Sequence, residues 1–175
     1  MAVREILEVP DPRLRLVSKP HAAPIDDALR TLIADMLETM YDAPGIGLAA
    51  IQIGVPVRVL VIDLQEEQDA EGKPIRHPRV FIDPEISEPS ELYSTYSEGC
   101  LSIPEMYADV NRPESCRARW TDENGAMHDE RVDGLLATCL QHEIDHLDGI
   151  LFTDHLSRLK RDMILKKLAK LRKAA

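Results

Sequence analysis

The stretch GLLATCLQHEIDHLDG, residues 134–149, contains a His-Glu-x-x-His pattern formed by His142, Glu143 and His146. A glycine stands at each end of this stretch, which is predicted to form a helix. On a helix, residues four apart lie about 40° apart around the axis, one turn above each other. Two imidazoles placed in this way can bind one divalent ion, and Glu143 projects at a neighbouring angle from which it can reach a water on that ion. The stretch therefore predicts a helix that bears a metal site.

Zinc endopeptidases share this pattern, and one group of them extends it to His-Glu-x-x-His-x-x-Gly-x-x-His. Here Gly149 fits the longer form, but Phe152 stands where its last histidine would be. The endopeptidase interpretation therefore fails at its decisive residue, and cleavage of an internal peptide bond is the observation that would revive it.

A catalytic site of this kind usually has three protein ligands, so a third donor is needed. Cys139 lies on the same helix face as the histidines, but it is seven residues, a rise of ~10.5 Å, from His146. With metal–ligand bonds of ~2.0–2.3 Å, one ion cannot easily join these two residues, so we expect Cys139 to be buried. Cys100 is the main remaining candidate, and Asp154 and His155, just past the helix, remain open.

Cys100 sits in the segment EGCLSIP, residues 98–104. Gly99 permits an unusual backbone angle and Pro104 is expected to end any strand, so the segment is predicted to be a loop. Such a loop can present a thiolate and a free backbone N–H side by side. A cysteine in a loop is weak evidence for a ligand by itself.

A third segment, GIGLAAIQ at residues 45–52, combines two glycines with small and apolar residues. It is not the dinucleotide-binding fingerprint, because it follows a predicted helix rather than a strand and lacks the third glycine. The glycines suggest close backbone approach, and Gln52 is a polar amide among apolar neighbours. From this segment alone, we expect Gln52 to be buried and hydrogen-bonded.

The whole chain has 175 residues, a formal net charge of −10 and three cysteines. A uniformly acidic surface repels phosphate backbones, so general binding of DNA or RNA is not expected. No apolar run approaches the ~20 residues that span a bilayer, and the first residues do not form a secretory signal. An odd number of cysteines forms no disulfide framework, so we expect a reduced, cytoplasmic setting and no membrane contact.

The predicted elements mix helices and strands. Helices are predicted over 26–41, over 134–149 and from 154 or 157 onward, and strands at 57–63, 79–87, 115–121 and 127–132. Asn124–Gly125 marks the hairpin turn between the last two strands, and residues 65–78 form a polar loop. This order of elements predicts an α+β fold with a largely antiparallel sheet.

Taken together and in this order, the motifs GIGLAAIQ, EGCLS and QHEIDH resemble the three signature motifs of the peptide deformylase family. The spacing between the motifs and the length of the chain are also similar to that family. The resemblance implies one catalytic domain over residues 1–175, in which antiparallel sheets surround a central metal-binding helix and residues 154–175 form a basic C-terminal helix. It also implies metal-dependent removal of the formyl group from formyl-methionine at the N-terminus of newly made polypeptides.

The resemblance further implies a role for each motif residue. Cys100, His142 and His146 would bind one divalent metal ion, Fe²⁺ in the cell and often Ni²⁺ or Zn²⁺ in preparations. Glu143 would be the general base and then the general acid of the reaction.

Other residues would stabilise the reacting groups or line the site. Gln52 and the Leu101 N–H would stabilise the oxyanion, and Glu98 would pair with Arg112. The substrate cleft would be lined by Gly45, Ile46 and Gly47. Because Gln52 is not needed to hold a metal, its presence argues against a third interpretation, a non-catalytic metal-binding or ribosome-associated protein.

The sequence departs from the family in two places. Met106 and Tyr107 stand where several bacterial members carry a basic residue, so contacts with the far end of the peptide are expected to differ. The polar loop 65–78 is longer than in compact members, and no function is assigned to it.

The C-terminal residues carry a charge opposite to that of the rest of the chain. From Arg158 onward there are eight Lys or Arg and one acid, an excess of seven positive charges that leaves an excess of seventeen negative charges on the first 157 residues. Apolar residues at helical spacing from Leu156 to Leu171 predict one broad apolar stripe, with the charges on a solvated face. The resemblance implies an alternative, in which this helix docks on ribosomal RNA near the nascent-chain exit through contacts that weaken with salt.

Overall fold

The computed structural model describes residues 1–175, in which seven strands follow the first of three α-helices and precede the other two. The strands are β1 (Gly47–Ala49), β2 (Val59–Ile62), β3 (Arg79–Ser87), β4 (Tyr93–Cys100), β5 (Ile103–Pro113), β6 (Ser115–Thr121) and β7 (Met127–Asp133). The helices are α1 (Asp27–Asp42), α2 (Gly134–Leu147) and α3 (Arg158–Ala174), with short 3₁₀ helices at Pro12–Arg15, Ala50–Ile53 and Phe152–His155. No helix has the length and apolar character that crossing a membrane requires.

Five strands form one antiparallel sheet in the order β1-β2-β3-β6-β7, and β4 and β5 form a separate hairpin. One side of α2 packs on the sheet, where Leu140 shares a buried cluster with Phe81 of β3 and Trp120 of β6. The hairpin approaches α2 from another side, where Glu98 of β4 contacts His142. The predicted α+β fold, with a central helix between antiparallel sheets and a C-terminal helix, is confirmed.

Local sequence determines the limits of α1 and α2. The Asp26 carboxylate accepts a hydrogen bond from the Leu29 N–H at 2.9 Å, which caps α1 where the sequence predicted its start. α2 ends at Leu147, and Gly149 follows with a φ of 74°. A Cβ at Gly149 would lie 2.5 Å from the carbonyl oxygen of Arg15, so both the backbone angle and the available space require glycine.

The segment around Cys100 is not a loop. Cys100 is the last residue of β4 and Pro104 is the second residue of β5, so the expectation that Pro104 ends any strand is wrong. Leu101 and Ser102 join the two strands, and the pairing register shifts next to Cys100. Proline is tolerated here because Pro104 lies in the irregular stretch between Ile103, which pairs with Cys100, and Tyr107, which pairs with Gly99, so its missing N–H breaks no ladder bond.

The C-terminal helix begins later than residue 154. The Ser157 side chain accepts a hydrogen bond from the Lys160 N–H, and α3 begins at Arg158. Residues 154 and 155 belong to the preceding 3₁₀ helix instead. The reason is local, because a serine whose hydroxyl reaches the backbone three residues on is a favoured helix cap.

Only a narrow part of α3 is buried. Ile164 and Leu168 join a cluster that contains Ile103 and Met106 of β5. The other apolar residues of the predicted stripe within the helix, Leu159, Met163 and Leu171, are exposed. Of the predicted apolar stripe, the helix thus buries only Ile164 and Leu168, and the stripe's other members within α3 face solvent.

The loop 65–78 contains no helix or strand apart from one isolated bridge. Its two ends are attached to Asp63, which is buried and directly follows β2. The Asp63 carboxylate accepts hydrogen bonds from the Tyr41 hydroxyl at 2.6 Å, from the Gln65 N–H at 3.1 Å and from the His77 N–H at 2.9 Å. One buried carboxylate thus connects α1, the sheet and both ends of the loop.

We predict that Asp63→Ala lowers the free energy of unfolding by about 2 kcal/mol, because three donors lose a buried acceptor. Asp69→Ala is the matched control: Asp69 accepts from two backbone N–H groups in the same loop but is exposed. Its effect should stay within about 0.5 kcal/mol. Urea unfolding followed by circular dichroism measures both values, and equal effects would contradict the anchoring role of Asp63.

Candidate metal centre

Three potential metal ligands come together from two parts of the fold. His142 and His146 lie one turn apart on α2, and Cys100 lies at the end of β4. One donor atom of each residue lies within 4.8 Å of the other two, and Cys100 Sγ is 3.3 Å from His146 Nε2. Ligands bound at ~2.3 and ~2.1 Å around a tetrahedral ion would be roughly 3.6 Å apart. The cluster therefore has dimensions that fit one divalent ion.

The other candidate ligands lie elsewhere and have other partners. Asp154 forms an ion pair with Arg15, and His155 Nε2 lies 2.8 Å from Asp145 Oδ2. Cys139 is buried as expected, and burial raises the pKa of its thiol to about 12. A thiol that stays protonated at neutral pH is a poor metal ligand. Of the alternatives that the sequence left open, only Cys100 lies with the histidines.

A buried ion pair orients His142. The Nδ1 atom of His142 lies 2.8 Å from Glu98 Oε1, and the Glu98 carboxylate accepts hydrogen bonds from Arg112 Nε and Nη2 at 2.7 and 3.0 Å. All three side chains are buried. A carboxylate at Nδ1 makes that nitrogen the proton donor and leaves the lone pair of Nε2 for a metal. The structure thus brings Glu98 and Arg112 together behind a candidate ligand.

This ion pair makes the two imidazoles electrostatically different. Burial alone would lower the pKa of His142, but hydrogen bonds with Cys100 and Glu98 hold it well above 6.5. Burial and the charge of His142 lower the pKa of His146 well below 6.5. Burial would raise the pKa of Glu98, but its hydrogen bonds with His142 and Arg112 keep it below the usual value. The surroundings of the two imidazoles therefore differ: Glu98 favours a proton on His142, whereas burial and the charge of His142 disfavour one on His146.

Glu143 lies next to the first histidine with an unpaired carboxylate oxygen. The side chain is buried, and its Oε2 atom has no hydrogen-bond partner in the chain. Burial raises the pKa of Glu143 to about 7. A divalent cation at the cluster would favour the ionised form. A buried carboxylate with a free oxygen beside three metal donors fits a hydrolytic centre, in which that oxygen receives a proton from water.

Two glycines let the backbone approach this site closely. A Cβ at Gly47 would lie 2.7 Å from Glu143 Oε1 and 3.1 Å from its Cδ. A Cβ at Gly45 would lie 2.7 Å from a terminal methyl of Leu101. The close approach that the sequence suggested is present, and at Gly47 the neighbour is the candidate general base itself.

The Gln52 amide is held in one orientation beside the cluster. Its Oε1 atom accepts a hydrogen bond from the Ala49 N–H at 2.9 Å. Its Nε2 atom donates to Ser102 Oγ at 3.0 Å and lies 3.7 Å from Cys100 Sγ. With one N–H used by Ser102, the second N–H faces the cluster. The Leu101 N–H, in the turn directly after Cys100, is a second donor close to the site, this one from the backbone.

A cavity of about 1140 Å³ opens beside the cluster. Its walls include Gln52, Cys100 and Glu143, together with the backbone segment Gly45, Ile46 and Gly47. β1 is an edge strand of the sheet, so its outer edge is available to another extended chain. An open strand edge next to a cavity with a metal cluster suits a peptide whose end reaches the cluster.

Sequence reasoning missed two residues of the site, Phe152 and Asp145, and noted Tyr107 only as a change in the contacts with the far end of the peptide. Phe152, considered only as a missing histidine, stacks on His142 with ring centroids 6.1 Å apart. Tyr107 lines the cavity and is 70% exposed, and its ring packs on Gly99, where a Cβ would collide with it. Asp145 accepts a hydrogen bond from the buried guanidinium of Arg112 at 2.9 Å. Of the two missed residues, only Asp145 had a signal in the sequence, because it lies inside the HEIDH motif.

Comparison with known proteins agrees with this geometry. Residues 3–162 match the family described as polypeptide deformylase. The chain belongs to this family. A peptide deformylase from Rhizorhabdus wittichii is 73% identical over 174 residues, which cover 99% of this chain and 98% of that protein. One from Novosphingobium aromaticivorans is 62% identical over 190 residues, with all of both chains covered.

Solved structures show the same family relationship. The crystal structure of a peptide deformylase from Legionella pneumophila has a TM-score of 0.86 and 45% identity, and covers 99% of this chain and 97% of that one. The deformylase from Ehrlichia chaffeensis, crystallised in complex with actinonin, has a TM-score of 0.88 and 41% identity, and covers 97% and 98%. This protein is thus a peptide deformylase family metalloenzyme that removes the N-terminal formyl group from newly made polypeptides. The predicted activity is confirmed.

We predict that Gly47→Ala reduces deformylase activity by about 10²-fold while the protein stays folded and binds metal. The added Cβ displaces the Glu143 carboxylate, and misplaced proton transfer costs about 10²–10⁴-fold in rate. Turnover, metal content and melting temperature of the variant are compared with those of the unmodified chain. A variant with wild-type turnover would show that Glu143 does not need its position against β1.

Proposed function

We propose that Cys100, His142 and His146 hold the metal ion of this deformylase, and that the ion is Fe²⁺ in the cell. The supporting observation is the convergence of one sulfur and two imidazole nitrogens within 4.8 Å, on two elements joined by the buried contact of Glu98 with His142. Such a donor set suits several divalent ions, including Fe²⁺, Ni²⁺ and Zn²⁺. When bound, the ion supplies Lewis-acid chemistry, because it acidifies water and polarises a carbonyl oxygen.

Glu143 acts as general base and then as general acid. Its carboxylate accepts a proton from the water that attacks the formyl carbon, and it later passes that proton to the departing amine. The unpaired Oε2 atom and a pKa raised by burial to about 7 support both transfers. One water is consumed as the carbon–nitrogen bond breaks, and the products are formate and a peptide with a free amino group.

Gln52 and the Leu101 N–H stabilise the negative charge that develops on the formyl oxygen. The Gln52 amide is already oriented by Ala49 and Ser102, so it needs no rearrangement during the reaction. Preorganised donors of this kind are worth ~10²–10³ in rate each. Their position beside Cys100 supports this role, since the reacting carbonyl must lie at the metal cluster.

The peptide binds along the outer edge of β1. Gly45, Ile46 and Gly47 offer backbone donors and acceptors there, next to the cavity that contains Glu143. Tyr107 at the rim presents an aromatic ring rather than a charge to the following residues of the peptide. Pairing of this type accepts nascent chains of different sequence, because its hydrogen bonds are made with the peptide backbone rather than with side chains.

Residues 1–175 act as one catalytic domain. The proposed active-site residues lie in the segment 45–52, at the end of β4 with the turn that follows it, and on α2, which are separate parts of the chain. Residues from the N-terminal segment, from β5 and from α3 share one buried cluster, including Leu14, Ile103 and Leu168. The site and the packing around it thus depend on all parts of the chain together.

Formate release from a formyl-methionine peptide tests these assignments. The protein is prepared without oxygen and loaded with Fe²⁺, Ni²⁺ or Zn²⁺, and we expect the Fe²⁺ form to be fully active. Glu143→Ala should bind the ion yet lose about 10²–10⁴-fold in turnover. Glu91→Ala, at an exposed position without an ion pair, is the matched control.

Four results would contradict the proposal, each in a different part. Turnover retained by Glu143→Ala would remove Glu143 from proton transfer. Metal binding unchanged in Cys100→Ala would remove Cys100 from the ligand set. An inactive Fe²⁺ form beside an active Ni²⁺ form would overturn the choice of native ion, and cleavage of an unformylated peptide would point to endopeptidase activity.

We also propose that the enzyme works in the cytoplasm, where α3 docks it on ribosomal RNA near the nascent-chain exit. Lys166, Lys170 and Lys173 are exposed on the side of α3 opposite to Ile164 and Leu168. The ion pairs of α3 involve its arginines instead, so these lysines are available to phosphates. The negative remainder of the chain would orient this basic face toward the RNA.

Ribosome co-sedimentation of the variant Lys166→Gln/Lys170→Gln tests this docking. We expect several-fold weaker binding at low salt and unchanged turnover of short peptides, because two phosphate contacts are lost. The matched control, Lys19→Gln/Lys73→Gln, removes two exposed charges elsewhere. Truncation of α3 is a poorer test, since it would expose the buried cluster on β5. Equal binding of all three proteins would contradict the proposal.

A further inference from the structure

The ion pair behind His142 continues beyond Arg112 to the protein surface. Arg112 Nη1 donates a hydrogen bond to Asp145 Oδ2 at 2.9 Å, and His155 Nε2 lies 2.8 Å from the same oxygen. His142, Glu98, Arg112, Asp145 and His155 thus form one continuous chain of hydrogen-bonded charged or polar groups. Its inner end is a candidate metal ligand, and its outer end is an exposed imidazole.

The outer end of this chain opens on a different side of the protein from the substrate cleft. A second cavity, of about 1040 Å³, is lined by Arg112, Asp145 and His155 but not by the metal cluster. His155 is therefore accessible to solvent without the involvement of the peptide site. No step of the deformylation described above uses either His155 or this cavity.

The 3₁₀ helix Phe152–His155 holds His155 in place. Phe152 is buried and stacks on the ring of His142, so this short helix touches the candidate ligand directly. Asp154 is fixed by its ion pair with Arg15. Because Phe152 and Asp154 of the same short helix are both anchored, His155 is held against Asp145 rather than moving freely in solvent.

Among the links between the two histidines, Asp145 is the least buried. The side chains of Glu98 and Arg112 are 6% and 5% exposed, whereas that of Asp145 is 19% exposed. Its Oδ2 atom accepts from both Arg112 and His155. Without His155, the Asp145 carboxylate is free to turn toward water and to release Nη1 of Arg112. The Arg112 guanidinium is then held only by its two hydrogen bonds with Glu98.

We propose that His155 is a positioning residue of the metal centre, which acts through Asp145 and Arg112 on the carboxylate of Glu98 that orients His142. The proposal rests on the proposed assignment of His142 as a metal ligand. Partners that contact a ligand directly change metal affinity about 10–100-fold when removed. Because His155 acts through two intervening side chains, its removal should increase metal release by a smaller factor, about three- to tenfold.

The experiment uses the full chain loaded with Co²⁺, whose visible absorption reports ligand geometry. Release of Co²⁺ to a chelator is timed for the unmodified chain, His155→Leu and His155→Gln. We expect His155→Leu to release Co²⁺ about three- to tenfold faster, with shifted absorption bands, and His155→Gln, which keeps an N–H donor, to stay close to the unmodified chain. His77→Leu is the matched control, since His77 forms a surface pair with Glu67 far from the cluster.

A double-mutant cycle separates positioning from simple destabilisation. In an Asp145→Ala background, His155→Leu should have no further effect on Co²⁺ release, because the link through which it acts is gone. If His155→Leu does not fold, the cycle is run with His155→Ala. Melting temperatures are recorded for all variants, and a lowered melting temperature with unchanged spectrum and release rate would overturn the proposal.

The remaining outcomes are also decisive. Equal release rates for His155→Leu and the unmodified chain would overturn the role of His155 and leave the ligand assignment intact. An effect of His155→Gln as large as that of His155→Leu would also overturn it, since the donor would then not matter. Failure of the unmodified chain to bind Co²⁺ would instead refute the proposed ligands, and this proposal with them.

Discussion

The buried carboxylate of Glu98 is the contact on which the rest of the site depends. It joins β4 to α2 through His142 and to β5 through Arg112, so three elements meet at one side chain. A buried charge is tolerated only when it is paired and fully hydrogen-bonded, and Glu98 meets this condition with three donors. The same contact brings the end of β4, and with it Cys100, up to the histidines of α2.

Around this contact the fold combines rigid placement with close backbone approach. A helix sets two imidazoles one turn apart, and a hairpin with a shifted register delivers the sulfur at its end. Gly47 of β1 then lies so close to Glu143 that no side chain fits between them. Sites built on helices and strands hold their geometry better than sites on loops, which suits a reaction with tightly placed proton transfers.

Residues 1–157 carry an excess of negative charge, whereas the C-terminal helix α3 carries an excess of positive charge. The substrate cleft lies in the part with excess negative charge, whereas the exposed lysines lie on a helix that only two buried side chains attach to the hairpin. The apolar stripe that the sequence predicted for α3 is split, and several of its residues face solvent. A helix held in this way leaves most of its surface available for contacts outside the chain.

What the sequence by itself determined is local. The His-Glu-x-x-His spacing, the capping Asp26 and the Asn124–Gly125 turn act through neighbours within one or two turns, so α1, α2 and the β6–β7 hairpin could be predicted from residues alone. Only the tertiary structure decided between Cys100 and the residues just past the helix, Asp154 and His155, because proximity to the histidines arises from strand pairing and a buried ion pair across more than forty residues. The β4–β5 hairpin was missed for the same reason: the polar residues of β4 and the early proline of β5 carry no clear strand pattern until the strands pair.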